Sequence, residues 1–391
     1  MPPPHEGDRG AAATSSLTAI LAGRLGGNIL LRFPYTFITS ISHAFGVRVD
    51  TMATLLGIRE LGGLLAPAVG RVADRGHERR TMVWSATAAA VATLAIALRP
   101  PIWLLVALLT IGGVAKFGLD TAQTAWIGHR VPFARQSRTF GVIESSWALA
   151  LLVGIPLCGW VKSIWGWRAM FVLCGLVLGI AAAAVRSSVP ADRPEPSPSR
   201  PRLRISRPLA GILAYVVLQP FAQMFVFAVY GDWFRATLGM SDARLSAASM
   251  VIGVGELVGT GLTAALADGF GKRRCAIAGI LLAAPLAAGL GLVGAHQVAG
   301  VAVIVVMAIA IEFSFVSALP LVAELDPHSR ASAIGLATAL ITIARAVSSA
   351  LAGQTYVHLG IGATGAVTAV ACVGAATALW TVVEPTTSDP D

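Results

Sequence analysis

The spacing of apolar runs constrains this chain more than any other feature. Twelve runs of about 17–27 residues alternate with short charged or proline-containing segments. Their cores lie near 17–40, 51–70, 81–98, 102–127, 139–161, 169–185, 209–231, 245–267, 275–295, 298–323, 332–356 and 361–383. A helix crosses the hydrocarbon of a bilayer with about 20 apolar residues, and a barrel strand with about 9–11. Lipid offers the backbone no hydrogen-bond partner, so runs of the longer kind must be helices. Composition agrees: 55% of the 391 residues are hydrophobic and 13% are charged, about half the charge of a soluble domain. One soluble core cannot hide that much apolar surface. The expectation is an all-α polytopic membrane protein with twelve transmembrane helices, helix 1 to helix 12 in chain order.

The longest segment between runs is central. It extends from Arg186 to Arg207 and holds Pro190, Pro194, Pro196, Pro198 and Pro201 with six arginines. Such a stretch reads as an extended basic linker. We therefore expect a disordered polar tail over 1–14, a six-helix bundle over 15–189, a linker over 190–207, a second six-helix bundle over 208–384 and a tail over 385–391. A cleavable leader is not expected, because the first apolar run continues past Phe37. The halves echo each other. Asp74 and Asp268 follow helices 2 and 8 at a separation of 194 residues. Pro132-x-x-Arg135 and Pro327-x-x-Arg330 follow helices 4 and 10 at a separation of 195. Six helices per half give both repeats the same orientation, so the two bundles are parallel. Of the 29 Lys+Arg residues, 18 fall in segments on the side of the termini and six on the other side. The positive-inside rule then places both termini in the cytoplasm and the chain, multi-pass, in the plasma membrane. The net charge of +9 is spread over several short segments, which argues against a nucleic-acid partner.

The deep charges carry the functional information. They are Arg24 and Arg32 on helix 1, Arg59 and Glu60 on helix 2, Lys116 and Asp120 on helix 4, Glu144 on helix 5, Glu256 on helix 8, Glu312 on helix 10 and Arg345 on helix 11. Each costs about 2.5–3.5 kcal/mol if it faces lipid, so they must face inward and largely pair. The balance of five basic and five acidic residues argues against an anion pore or a voltage sensor. Helices 3, 6, 9 and 12 carry no charge, and helix 7 offers Gln219 and Gln223 one turn apart. Asn28, Arg32, Gln219, Gln223, Glu256 and Arg345 are expected to line one central substrate cavity. Arg24, Asp120 and Glu144 are expected to form one network. Asp120, Glu312 and Glu144 are the candidates for proton coupling, since burial and a neighbouring cation act oppositely on a carboxyl. For any one of these residues a structural ion pair is an equal alternative. A nucleophile–base pair or metal cluster is not found at depth, so neither an enzyme, a metal site nor a cofactor is expected. Cys158, Cys174, Cys275 and Cys372 read as packing residues. Gly289-x-Gly291-x-x-Gly294 lies inside helix 9 without a preceding strand and is discarded as a dinucleotide motif.

Six plus six helices, parallel halves, a basic central linker and charge-free helices 3, 6, 9 and 12 resemble the major facilitator superfamily over essentially the full length. Within it the chain is most similar to bacterial sugar- or drug-efflux permeases. Gly70, Asp74, Arg75, Arg79 and Arg80 match the family's loop signature after helix 2, with His77 and Glu78 where glycine and arginine are usual. Gly154, Pro156 and Gly159 are similar to the exporters' helix-5 motif with one residue inserted. The exporters' helix-4 arginine would fall near Leu109, whereas Lys116 and Asp120 lie further along. The resemblance implies a monomeric secondary transporter in which helices 1, 4, 7 and 10 line the cavity. It further implies alternating access and proton-coupled efflux of a small organic molecule, with uptake by symport or facilitation as the alternative. A non-transporting receptor is disfavoured by the short tails. Asp74, with Asp268 as its counterpart, would gate the cytoplasmic side by meeting the start of helix 11 near Ser332.

Overall fold

The computed structural model describes residues 6–131, 139, 141–192, 206–324 and 330–381. Helix 1 runs Glu6–Thr36 and continues as Ile38–Phe45. Helix 2 is Val49–Val72, helix 3 Glu78–Ala97 and helix 4 Ile102–Arg130. Helix 5 is Gly141–Trp165, helix 6 Trp167–Ser188, helix 7 Arg207–Thr237 and helix 8 Asp242–Phe270. Helix 9 is Lys272–Leu292 and helix 10 Gln297–Glu324. Helices 11 and 12 form one run, Arg330–Trp380, broken at Gly360. No strand occurs among the described residues.

The turns preserve the repeat. Gly46 and Gly239 follow helices 1 and 7, Gly76 and Gly271 helices 2 and 8, Arg99 and Gly294 helices 3 and 9, and Gly166 and Gly360 helices 5 and 11. All eight have a positive φ, and the members of each pair stand 193–195 residues apart. Glycine adopts that conformation without a Cβ clash. Arg99, at φ 59, is the non-glycine residue that takes it. The loop after helix 2 shows how the signature is rebuilt here. Gly76, one position before the usual glycine, supplies the left-handed turn at φ 81. Glu78 is buried and sits 2.7 Å from His129 Nδ1 at the end of helix 4.

The charge-free helices present apolar side chains outward, and helix 7 is the most enclosed of the spans. Trp84 and Val91 on helix 3, Ile180 on helix 6, Leu282 on helix 9 and Val370 on helix 12 are exposed apolar side chains. Tyr215, Phe225, Trp233 and Phe234 of helix 7 are buried. Prolines interrupt several central helices, Pro320 of helix 10 among them. Pro34 bends helix 1, Pro220 lies inside helix 7, and Pro156 follows a widened π-turn at Ala150–Gly154 of helix 5. Each removes an N–H that would close the preceding turn.

The hydrogen bonds that join the halves among the described residues lie near mid-depth and at the end away from the termini. At that far end the Thr36 and Tyr230 hydroxyls are 2.6 Å apart, and Thr39 donates to Asp232 at 2.6 Å. Lys162 pairs with Asp242. Helix 1 passes so close to helix 7 that a Cβ on Gly231 would strike the carbonyls of Tyr35 and Thr36. The loops of Pro132 and Arg135 and of Pro327, the side chain of Asp74, the linker over 193–205 and the side chains at the start of helix 11 lie outside the described residues.

Candidate functional site

Three charge networks climb through the molecule from the end bearing the termini. The lowest is within the first half. Arg24 contacts Asp120 and Glu144 at 2.7 Å each, and Lys116 pairs with Asp120 one turn below it on helix 4. Gly27 packs on the Lys116 stem. Asn28 donates to Ser146 at 2.8 Å and is fully buried. Arg24, Asp120 and Glu144 therefore meet, with Lys116 as a fourth member. The Glu144 side chain keeps 51% of its surface open.

The second network crosses between halves. Arg32 of helix 1 holds Glu256 of helix 8 in a two-pronged pair at 2.9 and 2.8 Å. The Arg32 guanidinium lies 4.7 Å from the Trp147 ring centre, and the Lys116 ammonium lies 5.0 Å from the same ring. One indole thus attracts a cation from each network. Trp147 was not singled out in the sequence. Its only signal was a position three residues beyond Glu144, which on a helix is the same face.

The third network follows from Pro34. That proline leaves the Leu30 carbonyl without its helical donor. Arg59 of helix 2 fills the gap, donating to Leu30 and Leu31 carbonyl oxygens at 3.0 and 2.9 Å. It also donates to Glu60 at 3.1 Å, and the other Glu60 oxygen accepts from Arg345 Nε of helix 11 at 3.1 Å. Two guanidinium groups share one carboxylate.

Between the second and third networks lies a cavity walled by Arg32, Tyr35, Trp147, Gln223, Tyr230, Glu256 and Arg345, among others. Its free space is about 50 Å³, enough for a water or two rather than an organic molecule. Loading it requires the halves to part. Of the six residues expected at the cavity, Arg32, Gln223, Glu256 and Arg345 line it. Asn28 and Gln219 are fully buried outside the lining, and neither end of the Gln219 amide has a partner among the described residues. Glu312 on helix 10 forms no ion pair among the described residues. Glu256, Arg32 and Glu144 are the charges within its electrostatic reach, and the Thr260 hydroxyl lies beside it.

The motif residues occupy packing positions. A Cβ on Gly154 would strike Ile29 of helix 1, and one on Gly159 would strike Ser246 of helix 8. Helix 5 therefore leans on its own half through one glycine and on the other half through the next. Gly70 faces Thr121 of helix 4, while Arg75, Arg80 and Asp268 are exposed. The backbone N–H groups of Arg79 and Arg80 are capped by Asp192, at 2.8 and 3.2 Å.

The profile of the Major Facilitator Superfamily matches residues 17–234 and 212–391. The chain belongs to that superfamily, with its fold of twelve membrane-spanning helices. It is 25% identical over 248 residues to the Bacillus subtilis uncharacterized MFS-type transporter YceJ, covering 61% of this chain and 63% of that protein. It is 23% identical over 244 residues to the gentisate transporter of Corynebacterium glutamicum, covering 55% of this chain and 53% of that protein. The matched regions thus span under two thirds of these relatives. Among solved structures, a D-xylose-proton symporter superposes with a TM-score of 0.78 at 18% identity, over 94% of this chain and 97% of that one. A bacterial homologue of the human lysosomal transporter Spinster, inward-facing and unoccupied, superposes with a TM-score of 0.72 at 14% identity, over 95% of each chain.

Proposed function

We propose that this chain is a proton-coupled secondary transporter that moves a small organic molecule by alternating access. The observation that carries the reading is the division of charge across the cavity. The network of Arg24, Lys116, Asp120 and Glu144 is balanced, and so is the pair of Arg32 and Glu256. Arg59 and Arg345 share Glu60 alone, leaving one cation in excess. Glu312 is the carboxyl left over. A lone charge at membrane depth is expensive, so each surplus group must meet an opposite charge or, for the carboxyl, take a proton. Glu312 is the coupling residue of this reading, and Asp120 and Glu144 keep their network together. With both termini in the cytoplasm, the joined far end is the outer side, and this state is closed there. Asp74, with Gly70, Arg75, Arg79 and Arg80 around it, then gates the cytoplasmic end, and Asp268 marks the equivalent loop. The chain acts as a monomer in the plasma membrane.

Charge balance favours co-transport. Empty, the two surplus charges cancel; loaded with a proton and one anion, the interior is again neutral. Either ligand alone leaves a unit charge to carry across the bilayer. Exchange, with efflux of the molecule, is the second reading. It is favoured by the Pro156 turn of helix 5 and by a relative named as an efflux pump, the Lactococcus lactis multi-drug resistance efflux pump PmrA homolog, 29% identical over 120 residues. The test uses proteoliposomes loaded with a pH dye and offered benzoate, xylose and ethidium in turn. Co-transport acidifies the lumen as a compound enters, and exchange makes it alkaline. Glu312→Gln is expected to abolish the pH response while retaining exchange of labelled for unlabelled compound. A pH response unchanged in Glu312→Gln rejects that residue as the coupling site.

A further inference from the structure

The surplus cation of the third network has a specific shape. Arg345 spends its Nε on Glu60, and its Nη1 and Nη2 have no hydrogen-bond partner among the described residues. These two nitrogens are absent from the buried, unpartnered polar atoms, the side chain retains 20% of its surface, and the residue lines the cavity. The free edge of the guanidinium therefore opens on that space. Two parallel N–H groups match a carboxylate, which accepts both. Arg32 is the weaker competitor for the same anion, since Glu256 already neutralises it through both terminal nitrogens. One fork means one carboxylate.

The rest of the wall selects the body that the carboxylate carries. Tyr35, Trp147, Phe227 and Tyr230 present rings, with Leu31 and Met224 between them. Gln223 is the one uncharged amide in the lining. Rings held apart by ion-paired arginines suit a flat apolar ligand, because aromatic faces stack offset or edge-on. A sugar would find Gln223, the Trp147 indole N–H and the edge of Arg345, because the Tyr35 and Tyr230 hydroxyls are already engaged by Ser349, Thr36 and Ser249, and most of its own hydroxyls would stay unsatisfied. An organic cation would meet a surplus positive charge. We infer that the cavity takes a small aromatic monocarboxylate, its carboxylate on the free edge of Arg345 and its ring among the aromatic side chains. This rests on the transporter reading above and names its substrate class.

Titration calorimetry on the purified full chain in detergent tests the assignment with benzoate, benzamide and benzylamine. Benzoate should bind at least about tenfold more tightly than its neutral and cationic isosteres, the discrimination of a charge-assisted two-pronged contact. Arg345→Gln should weaken benzoate about 10- to 100-fold. Arg345→Lys keeps the charge and the pairing with Glu60, so it guards against a folding failure. It should still weaken benzoate about tenfold, because an ammonium lacks the fork. Equal binding of benzamide, or benzoate binding unchanged in Arg345→Lys, overturns the proposal. Counterflow separates it from the transporter reading. Benzoate that binds through Arg345 but never exchanges across proteoliposomes leaves the site standing and sinks transport. Xylose or ethidium that exchanges while benzoate fails to bind does the reverse.

Discussion

Asp232 fastens the far end of the molecule, and its removal has a calculable effect on which way the cavity opens. Its carboxylate accepts from the Thr39 hydroxyl at 2.6 Å, joining helix 7 to helix 1 across the two halves, and the residue is only 8% exposed. A hydrogen bond to a charged group contributes about 1.5–3 kcal/mol. This one exists only while the far end is shut, so Asp232→Ala subtracts that energy from one state alone. The equilibrium between far-end-shut and far-end-open forms should move about 10- to 150-fold toward the open form, at about 1.4 kcal/mol per factor of ten. A population resting near about 99:1 would fall to between roughly 8:1 and roughly 1:2. Spin labels on cysteines placed at His43 and Ala236, exposed residues beside the two far-end turns, would read the change as a second, longer distance. The four native cysteines are buried and will not compete for label. The neighbouring contacts of Thr36 with Tyr230 and of Lys162 with Asp242 remain in the variant, so the far end should still close. A distance distribution identical to that of the parent protein would refute the latch.

Arg59→Met should destabilise the protein by about 1–3 kcal/mol, the cost of leaving a buried acceptor unsatisfied, because it strands the Leu30 carbonyl while Arg345 still neutralises Glu60. Thermal unfolding in detergent reads the loss, and a melting temperature equal to the parent's would mean that the guanidinium does not support the Pro34 bend. Arg99→Gly should act in the opposite direction. Left-handed backbone costs a residue with a Cβ about 1–2 kcal/mol, and glycine's extra freedom in the unfolded chain returns about 0.4–1. The net gain is about 0.5–1 kcal/mol, seen as a higher melting temperature at unchanged transport.

The fold was legible because the membrane leaves so few alternatives. Run length alone demanded helices, and the charge-free helices 3, 6, 9 and 12 do expose apolar side chains such as Trp84, Ile180 and Val370, but so does charged helix 8 through Val251, Val254 and Val258. The repeat was visible in two loops, but its firmest expression lies in backbone conformation. Sequence reasoning matched Asp74 with Asp268 and passed over the turn glycines beside them, Gly76 and Gly271. Nothing in a list of glycines distinguishes those that need a positive φ from those that only let helices approach. Arg99 hid the third pair completely, since an arginine gives no hint of a left-handed turn.

Four of the six residues expected at the cavity line it, Asn28 and Gln219 do not, and most of the charge pairing was not legible. Ten deep charges in equal numbers implied that they largely pair, and depth suggested the trio of Arg24, Asp120 and Glu144, but burial cost alone is indifferent to which of the others meet. Pairing depends on helix bends. Pro34 leaves the Leu30 carbonyl free, Arg59 reaches it and the neighbouring Leu31 carbonyl, and Glu60 lies between two guanidinium groups instead of one. The first half closed its own four-member account around Arg24, and Glu256 took both prongs of Arg32. What remained unpaired was Arg345's outer edge in the cavity and Glu312 on helix 10. On the proposed coupling, a set that balances overall but not locally suits a carrier: a cation and a carboxyl held apart would each accept a visitor of opposite charge without a permanent partner to hold it.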